Sequence, residues 1–205
     1  MDQASSTKRS LVLGFDPAAV LRLTAEQFEK MYYAGVFTYQ NGRVELREGL
    51  PCRMNAQHIP HVTAKTEVFI AVLDALRPLG LRLRVDQEGS VRVGDYDVPE
   101  PDIIVWEPIR ARGAIPVERV RLVAEICDTT RDEDLGRKPA LYATGGIPEY
   151  WIVDLPGRVI HQRWAPSDGA YTRGATIPFG DPVTSATLPG LVVGTAALRD
   201  QDLPE

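Results

Sequence analysis

A chain of 205 residues, 44% hydrophobic and 25% charged, has the size and composition of one globular domain that folds alone, which excludes collagen, an unstructured tail and a disulfide-stapled miniprotein. Lys and Arg number 23 against 28 Asp and Glu, a net charge of -5, so no broad positive field for gripping nucleic acid is visible, although carboxylates gathered around a divalent cation would bias the sum the same way. No stretch nears the roughly 18 apolar residues of a membrane span; Leu11 to Leu13 is too short for a signal-peptide core, and Cys52 and Cys127 form no Cys-x-x-Cys pair, so a cytoplasmic protein with free thiols is expected.

Met1 to Ser10 is small, polar and aperiodic, a loose arm. Thr24 with Gln27 three residues on is a capping box, and Phe28, Met31 and Tyr32 share a helical face up to Gly35, which predicts a helix over Thr24 to Ala34. Asn41-Gly42 marks a tight turn into Val44, Leu46 and Leu50, whose alternation with Arg43, Glu45 and Arg47 predicts a half-buried strand with Glu45 pointing away from Val44 and Leu46. Val62, Phe69, Val72, Leu76 and Leu79 recur at helical spacing from Pro60 to Leu79, with Gly80 as the cap. Leu81, Leu83 and Val85, then Val91 and Val93 with Gly94-Asp95 behind them, read as strands of a meander. Ile103 to Trp106, and Leu122 to Ile126 interrupted by Glu125, are the continuous apolar runs of central strands. A helix is predicted over Asp134 to Ala143, followed by a hairpin of Tyr150 to Val153 and Val159-Ile160 about Pro156-Gly157. Beyond Ala165 the Gly- and Pro-rich tail reads as an irregular or edge-strand extension.

Two carboxylates keep unusual company. Asp102 directly precedes one apolar strand and Glu125 interrupts the other. If the two strands are neighbours, the side chains converge and suit Mg²⁺ or Mn²⁺, hard cations that take carboxylate oxygens and keep several waters. The plainer alternative pairs Glu125 with a buried arginine and uses Asp102 to cap the turn after Pro101.

Arg43-Val-Glu45-Leu-Arg-Glu-Gly49, Pro60-His61, Glu100-Pro-Asp102-Ile-Ile-Val105, Val123-Ala-Glu125-Ile, Asp134-Leu-Gly-Arg-Lys138 with Tyr142, and Gly146-Ile-Pro-Glu-Tyr-Trp151 occur in that order. This series resembles the PD-(D/E)XK nuclease superfamily, and more closely its bacterial restriction-endonuclease-like branch, formerly a domain of unknown function. The resemblance covers roughly Leu23 to Arg163. It implies an α/β (α+β) fold, a central mixed β-sheet flanked by helices, with an arm over 1–20, the nuclease-like domain over 21–165 and an extension over 166–205 packed on the same domain. It also implies metal ligation by Asp102, Glu125 and the Ile126 carbonyl, with Glu45 as a supplementary acid. The superfamily's lysine normally lies two residues after the glutamate, where this chain has Cys127. Lys138 is the candidate replacement: Pro139 is tolerated only in a first helical turn, which sets Lys138 at a helix N-terminus that also favours anions. His61 matches a histidine of the branch and could reach the metal pocket or a phosphate, or be satisfied by backbone. Asp134 could orient Lys138, or form an ordinary helical salt bridge with it. Tyr142, Glu149, Tyr150 and Trp151 recur in the resemblance but read as core, Cys127 as buried, and His58 and His161 as structural or surface.

Three functions follow. The first is a metal-dependent endonuclease hydrolysing nucleic-acid phosphodiesters, DNA above all, as a homodimer. The second is a nuclease-fold binding or assembly module without catalysis, favoured by Cys127 and the acidic charge. The third is a hydrolase of smaller phosphoesters, separated from the first by groove shape, for which Arg82, Arg84 and Arg92 could supply a DNA-facing rim. The first two are distinguished by whether Lys138 converges on Asp102 and Glu125.

Overall fold

Thr24 caps the first helix, α1 (Ala25–Tyr33), as its spacing to Gln27 requires: Thr24 Oγ1 accepts from Gln27 N at 3.2 Å and Gln27 Oε1 accepts from Thr24 N at 2.9 Å. The computed structural model describes residues 20–37, 42–128 and 136–199; Asn41, Asp134 and the arm over Met1 to Ser10 lie outside these. Strands β1 (Val44–Arg47) and β2 (Leu50–Arg53) form an antiparallel hairpin. Its turn needs glycine, because Gly49 has φ +79° and a Cβ there would meet the Arg22 Cβ at 2.7 Å. β1 is not half-buried: Val44 and Leu46 pack against Phe28 and Val98 while Glu45, on the other face, is also buried.

Helix α2 (Ile59–Leu76) is shorter than Pro60 to Leu79 and continues only as a 3-10 turn, Arg77–Leu79, closed by Gly80 at φ +64°. Pro78 has no N–H to give to the carbonyl four residues back, so the α ladder stops before it. The buried stripe is Ala64, Lys65, Val68, Val72 and Leu76, with Phe69 and Leu79 half-buried against the same core, so of the expected residues Val62 alone is exposed.

Then follow β3 (Arg84–Gln87), β4 (Val91–Arg92), β5 (Ile103–Trp106), β6 (Ile115–Pro116), β7 (Val120–Cys127), α3 (Arg137–Thr144), β8 (Glu149–Asp154), β9 (Val159–Ser167), β10 (Ala170–Pro178), β11 (Val183–Thr184), β12 (Val192–Val193) and α4 (Ala196–Arg199). Leu81 and Leu83 precede β3 rather than lie in it. Six strands make one mixed sheet in the order β10-β9-β8-β7-β5-β3. Only β7 and β8 are parallel, joined by the crossover that carries α3; every other neighbouring pair is antiparallel.

One face of the sheet, with Ile103, Val105, Leu122, Ala124, Ile126 and Trp151, packs on Val68, Val72 and Leu76 of α2. The other, with Ile104, Val123, Cys127, Tyr150 and Ile152, is covered by Tyr142 of α3 and by Ile147. Each such side chain contributes about 1.5–3 kcal/mol by leaving water. The mixed sheet with helical flanks is the architecture the sequence leads one to expect. The tail beyond Ala165 is more regular than expected: β10 is a full edge strand on β9, and Val183, Leu188, Leu191, Val193 and Leu198 join the α2-side core. Among the described residues no helix is long and apolar enough to cross a membrane.

Candidate active site

The antiparallel register of β5 and β7 pairs Ile103 with Ala124, so one residue further along Asp102 stands opposite Glu125. Strand alternation turns Glu125, like Val123 and Cys127, towards α3 and away from α2. Both carboxylates are buried, at 6% and 3% exposure, and each has found donors. Asp102 Oδ2 accepts from Ile126 N at 2.8 Å and lies 3.2 Å from His61 Nε2 at the head of α2, while Oδ1 accepts from Gln57 Nε2 at 3.3 Å. Burial works to raise the Asp102 carboxyl; His61, the Ile126 N–H and the charge of Lys138 outweigh it and hold the group below the usual carboxylate range.

Glu125 Oε2 is 3.0 Å from Lys138 Nζ, and Oε1 accepts from the Tyr142 hydroxyl at 2.6 Å. Both partners come from α3. Gly136 caps that helix, so Lys138 and Pro139 fall in its first turn, and Tyr142, four residues on from Lys138, shares its face. Burial and the adjoining Glu125 charge push the Tyr142 hydroxyl well above its ordinary value. It stays a proton donor.

A cavity of about 100 Å³ opens over these groups, lined among others by Glu45 and Arg47 of β1, Glu100, Asp128 and the exposed His58. Glu45 forms an ion pair with Arg47. Six residues singled out in the sequence, Glu45, His61, Asp102, Glu125, Ile126 and Lys138, thus line one space. Asp134 lies outside the described residues. Glu125 has a lysine partner rather than the arginine of the plainer reading, and the Nε2 of His61 is on Asp102 rather than on backbone, with Nδ1 buried and unbonded within the described residues. Cys127 is buried. His161 stands apart, half-buried near Asp154 and Thr176.

None of Arg82, Arg84 and Arg92 lines the cavity: Arg82 lies with Arg119 and Arg121 in another groove and Arg84 pairs with Asp86. The three share no strand face: Arg82 precedes β3, Arg84 opens it, and Arg92 is half-buried in β4 of a separate sheet. Arg47 is the arginine at the cavity. Tyr142 belongs to the core as expected, but its hydroxyl serves Glu125, which only the four-residue interval from Lys138 could have signalled. Gln57 carried no such signal, because its role depends on a fold-brought neighbour 45 residues away.

Carboxylates lining one cavity are the donor chemistry of a hard divalent cation. Among the described residues no three His, Cys, Asp or Glu side chains close into a ready-made cage. Mg²⁺ does not need one, since it binds through one or two carboxylates, waters and substrate phosphates. Asp102 and Glu125, on facing positions of adjacent strands, fit that requirement.

Comparison with known proteins agrees with this architecture. The family model Uma2, described as "Putative restriction endonuclease", matches residues 25–198. A crystal structure from Anabaena variabilis, of a putative nuclease belonging to DUF820, superposes with a TM-score of 0.61 at 15% identity, covering 86% of this chain and 97% of that one. At that identity the likeness is one of fold. No functionally curated protein matches.

Proposed function

The chain belongs to the Uma2 family of putative restriction endonucleases, and from that premise we propose that it is a metal-dependent nuclease hydrolysing phosphodiester bonds of DNA at the cavity between β1, β5, β7 and α3. The observation that carries this reading is the convergence of Lys138 on Glu125, 3.0 Å away, with Asp102 opposite. A lysine kept merely for solubility has no reason to sit 15% exposed against a buried carboxylate.

Asp102 and Glu125 would hold Mg²⁺ or Mn²⁺, with the Ile126 carbonyl beside them and Glu45 across the cavity as a supplementary acid. Such a cation lowers the pKa of bound water and offsets phosphoryl charge. The chain's own groups set the rest. The Ile126 N–H and Gln57 fix the Asp102 carboxylate, and Tyr142 fixes Glu125. Lys138 offers a hydrogen bond to the non-bridging phosphate oxygens, whose charge grows as water, losing a proton to solvent, adds to phosphorus and the opposite P–O ester bond breaks. Arg47 is the phosphate contact at the wall, and His61, its Nε2 on Asp102, steadies that carboxylate. Pairing of two copies, which would address both strands of a duplex, is checked by light scattering of the purified chain.

The test is nicking of supercoiled plasmid by purified protein with Mg²⁺ or Mn²⁺, beside Asp102→Ala, Lys138→Ala and an EDTA control. Metal-dependent nicking abolished by both substitutions is the expected result. Wild type and variants equally inert, while Mn²⁺ still binds the wild type, would favour a binding module or a smaller phosphoester.

A further inference from the structure

Behind the Asp102 wall of the cavity lies a charged group that the steps above do not use. Lys65, in the second turn of α2, is 5% exposed, a place where an ammonium is costly unless paired. Its Nζ donates to Glu88 Oε1 and to the Gln57 side-chain oxygen. Glu88 also receives Arg43 Nη1 at 2.6 Å. Lys65 does not line the cavity, whereas Gln57 and Asp102 do.

The chemistry of a lysine decides the orientation of the amide between them. An ammonium only donates, so the end of Gln57 facing Lys65 must be the oxygen, and the end facing Asp102 must be the NH₂. Without Lys65 the amide could turn over and present an oxygen to a carboxylate oxygen. With it, Asp102 Oδ1 always meets a donor at 3.3 Å, while Oδ2 meets the Ile126 N–H at 2.8 Å. Two donors, one on each oxygen, fix the plane of the carboxylate.

We propose that Lys65 is a positioning residue that, through Gln57, holds the Asp102 carboxylate in the orientation in which it binds the divalent cation. The role rests on the metal-site reading above. It resembles the outer-shell hydrogen bonds that orient metal ligands elsewhere, whose loss weakens metal affinity about 10- to 100-fold.

The experiment is calorimetric titration of the full chain with Mn²⁺, together with plasmid nicking, for wild type, Lys65→Met, Gln57→Leu, the double variant and Asp102→Ala. Lys65→Met and Gln57→Leu should each weaken Mn²⁺ binding about tenfold and lower kcat with KM for DNA unchanged. Because the lysine acts through the amide, the double variant should be no worse than Gln57→Leu alone. Gln57→Leu leaves the Lys65–Glu88 pair in place, so it decides the matter if Lys65→Met does not fold. Folded Gln57→Leu binding Mn²⁺ as wild type does, while Asp102→Ala binds it poorly, would overturn the Lys65 role alone. Losses that add fully in the double variant would overturn action through Gln57. A wild type that takes up no Mn²⁺ and nicks nothing would remove the metal site and this role with it.

Discussion

Glu125 and Glu149 are the same residue on neighbouring strands of one sheet, and both are buried, at 3% and 0% exposure. Their surroundings are opposite. Glu149 is enclosed by neutral donors: Trp151 Nε1 at 2.6 Å and Gln162 Nε2 at 2.7 Å on Oε1, and Ser185 Oγ at 2.6 Å, Thr187 Oγ1 at 2.8 Å and Thr187 N at 3.0 Å on Oε2. Glu125 has a lysine and a tyrosine and faces a cavity. Burial of an acid in a strand therefore does not mark a reactive site. The kind of partner does: neutral donors in a closed shell hold the tail to the sheet, whereas a cation beside an open space brings the carboxylate to where a ligand can reach it.

The comparison breaks if the two residues fail in the same way. Glu149→Ala takes the acceptor from the buried Trp151 Nε1 and Ser185 Oγ and from one N–H of Gln162, whose other partner is Thr184 O, at about 1–3 kcal/mol for each buried group left unpaired, for a total of about 3 kcal/mol or more. Urea unfolding should show this loss, while nicking per folded molecule stays near that of wild type. Glu125→Gln should do the reverse. Its amide oxygen still accepts from Tyr142, but its NH₂ then faces the Lys138 ammonium, so the urea midpoint should fall by less than in Glu149→Ala, while plasmid nicking falls about 10²- to 10³-fold, the scale set by removing one electrostatic contributor to a transition state.

What could be read from the residues in order was whatever local chemistry and strand period determine. The Thr24 cap, the Gly80 stop, the apolar runs of β5 and β7, and the acids that violate those runs all belong to this class. Pro139 likewise placed Lys138 in the first turn of α3. Contacts that depend on which element lands where were not legible. Along α2, Val62 obeys helical spacing yet is exposed, while Lys65 is buried with Glu88 and Gln57 as its partners, contacts that helical spacing does not reveal. The arginines illustrate the complementary case, since alternation along the chain does not reveal that Arg82, Arg84 and Arg92 fall in different elements away from the cavity lining. Glu149 was legible as core, but its five bonds come from residues that include Ser185 and Thr187 of the tail.

Tyr142→Phe sharpens the contrast from the side of the partner. It removes one hydrogen bond to a buried carboxylate, a loss of about 2 kcal/mol, measurable by thermal melting at neutral pH. The pH dependence follows from the direction of the shift. The folded Tyr142 hydroxyl titrates above its ordinary value near 10, so its contribution is complete below that pH and is lost as pH rises through the higher folded value. Wild type should lose stability on the alkaline side, and Tyr142→Phe should lose less. Tyr171, also raised by burial and by the Glu149 charge, leaves a residual slope in both.

Glu88 lies between the two extremes, a third exposed, with Lys65 and Arg43 on its carboxylate. Burial works to raise its pKa, but those two cations together hold it below the ordinary value of 4.5. A lowered carboxyl contributes stability above that value and loses it as pH falls through the folded one, so Glu88→Gln should flatten the acid side of the stability profile below about pH 4.5. Asp102, lowered as well and far more buried, accounts for part of the same acid loss. Salt separates the two: ions reach a pair open to solvent and hardly reach a buried one. Raising ionic strength should shrink the Glu88→Gln difference, leaving the Asp102 share of the acid unfolding midpoint nearly unchanged. Equal salt sensitivity in wild type and Glu88→Gln would place Glu88 with the closed carboxylates after all.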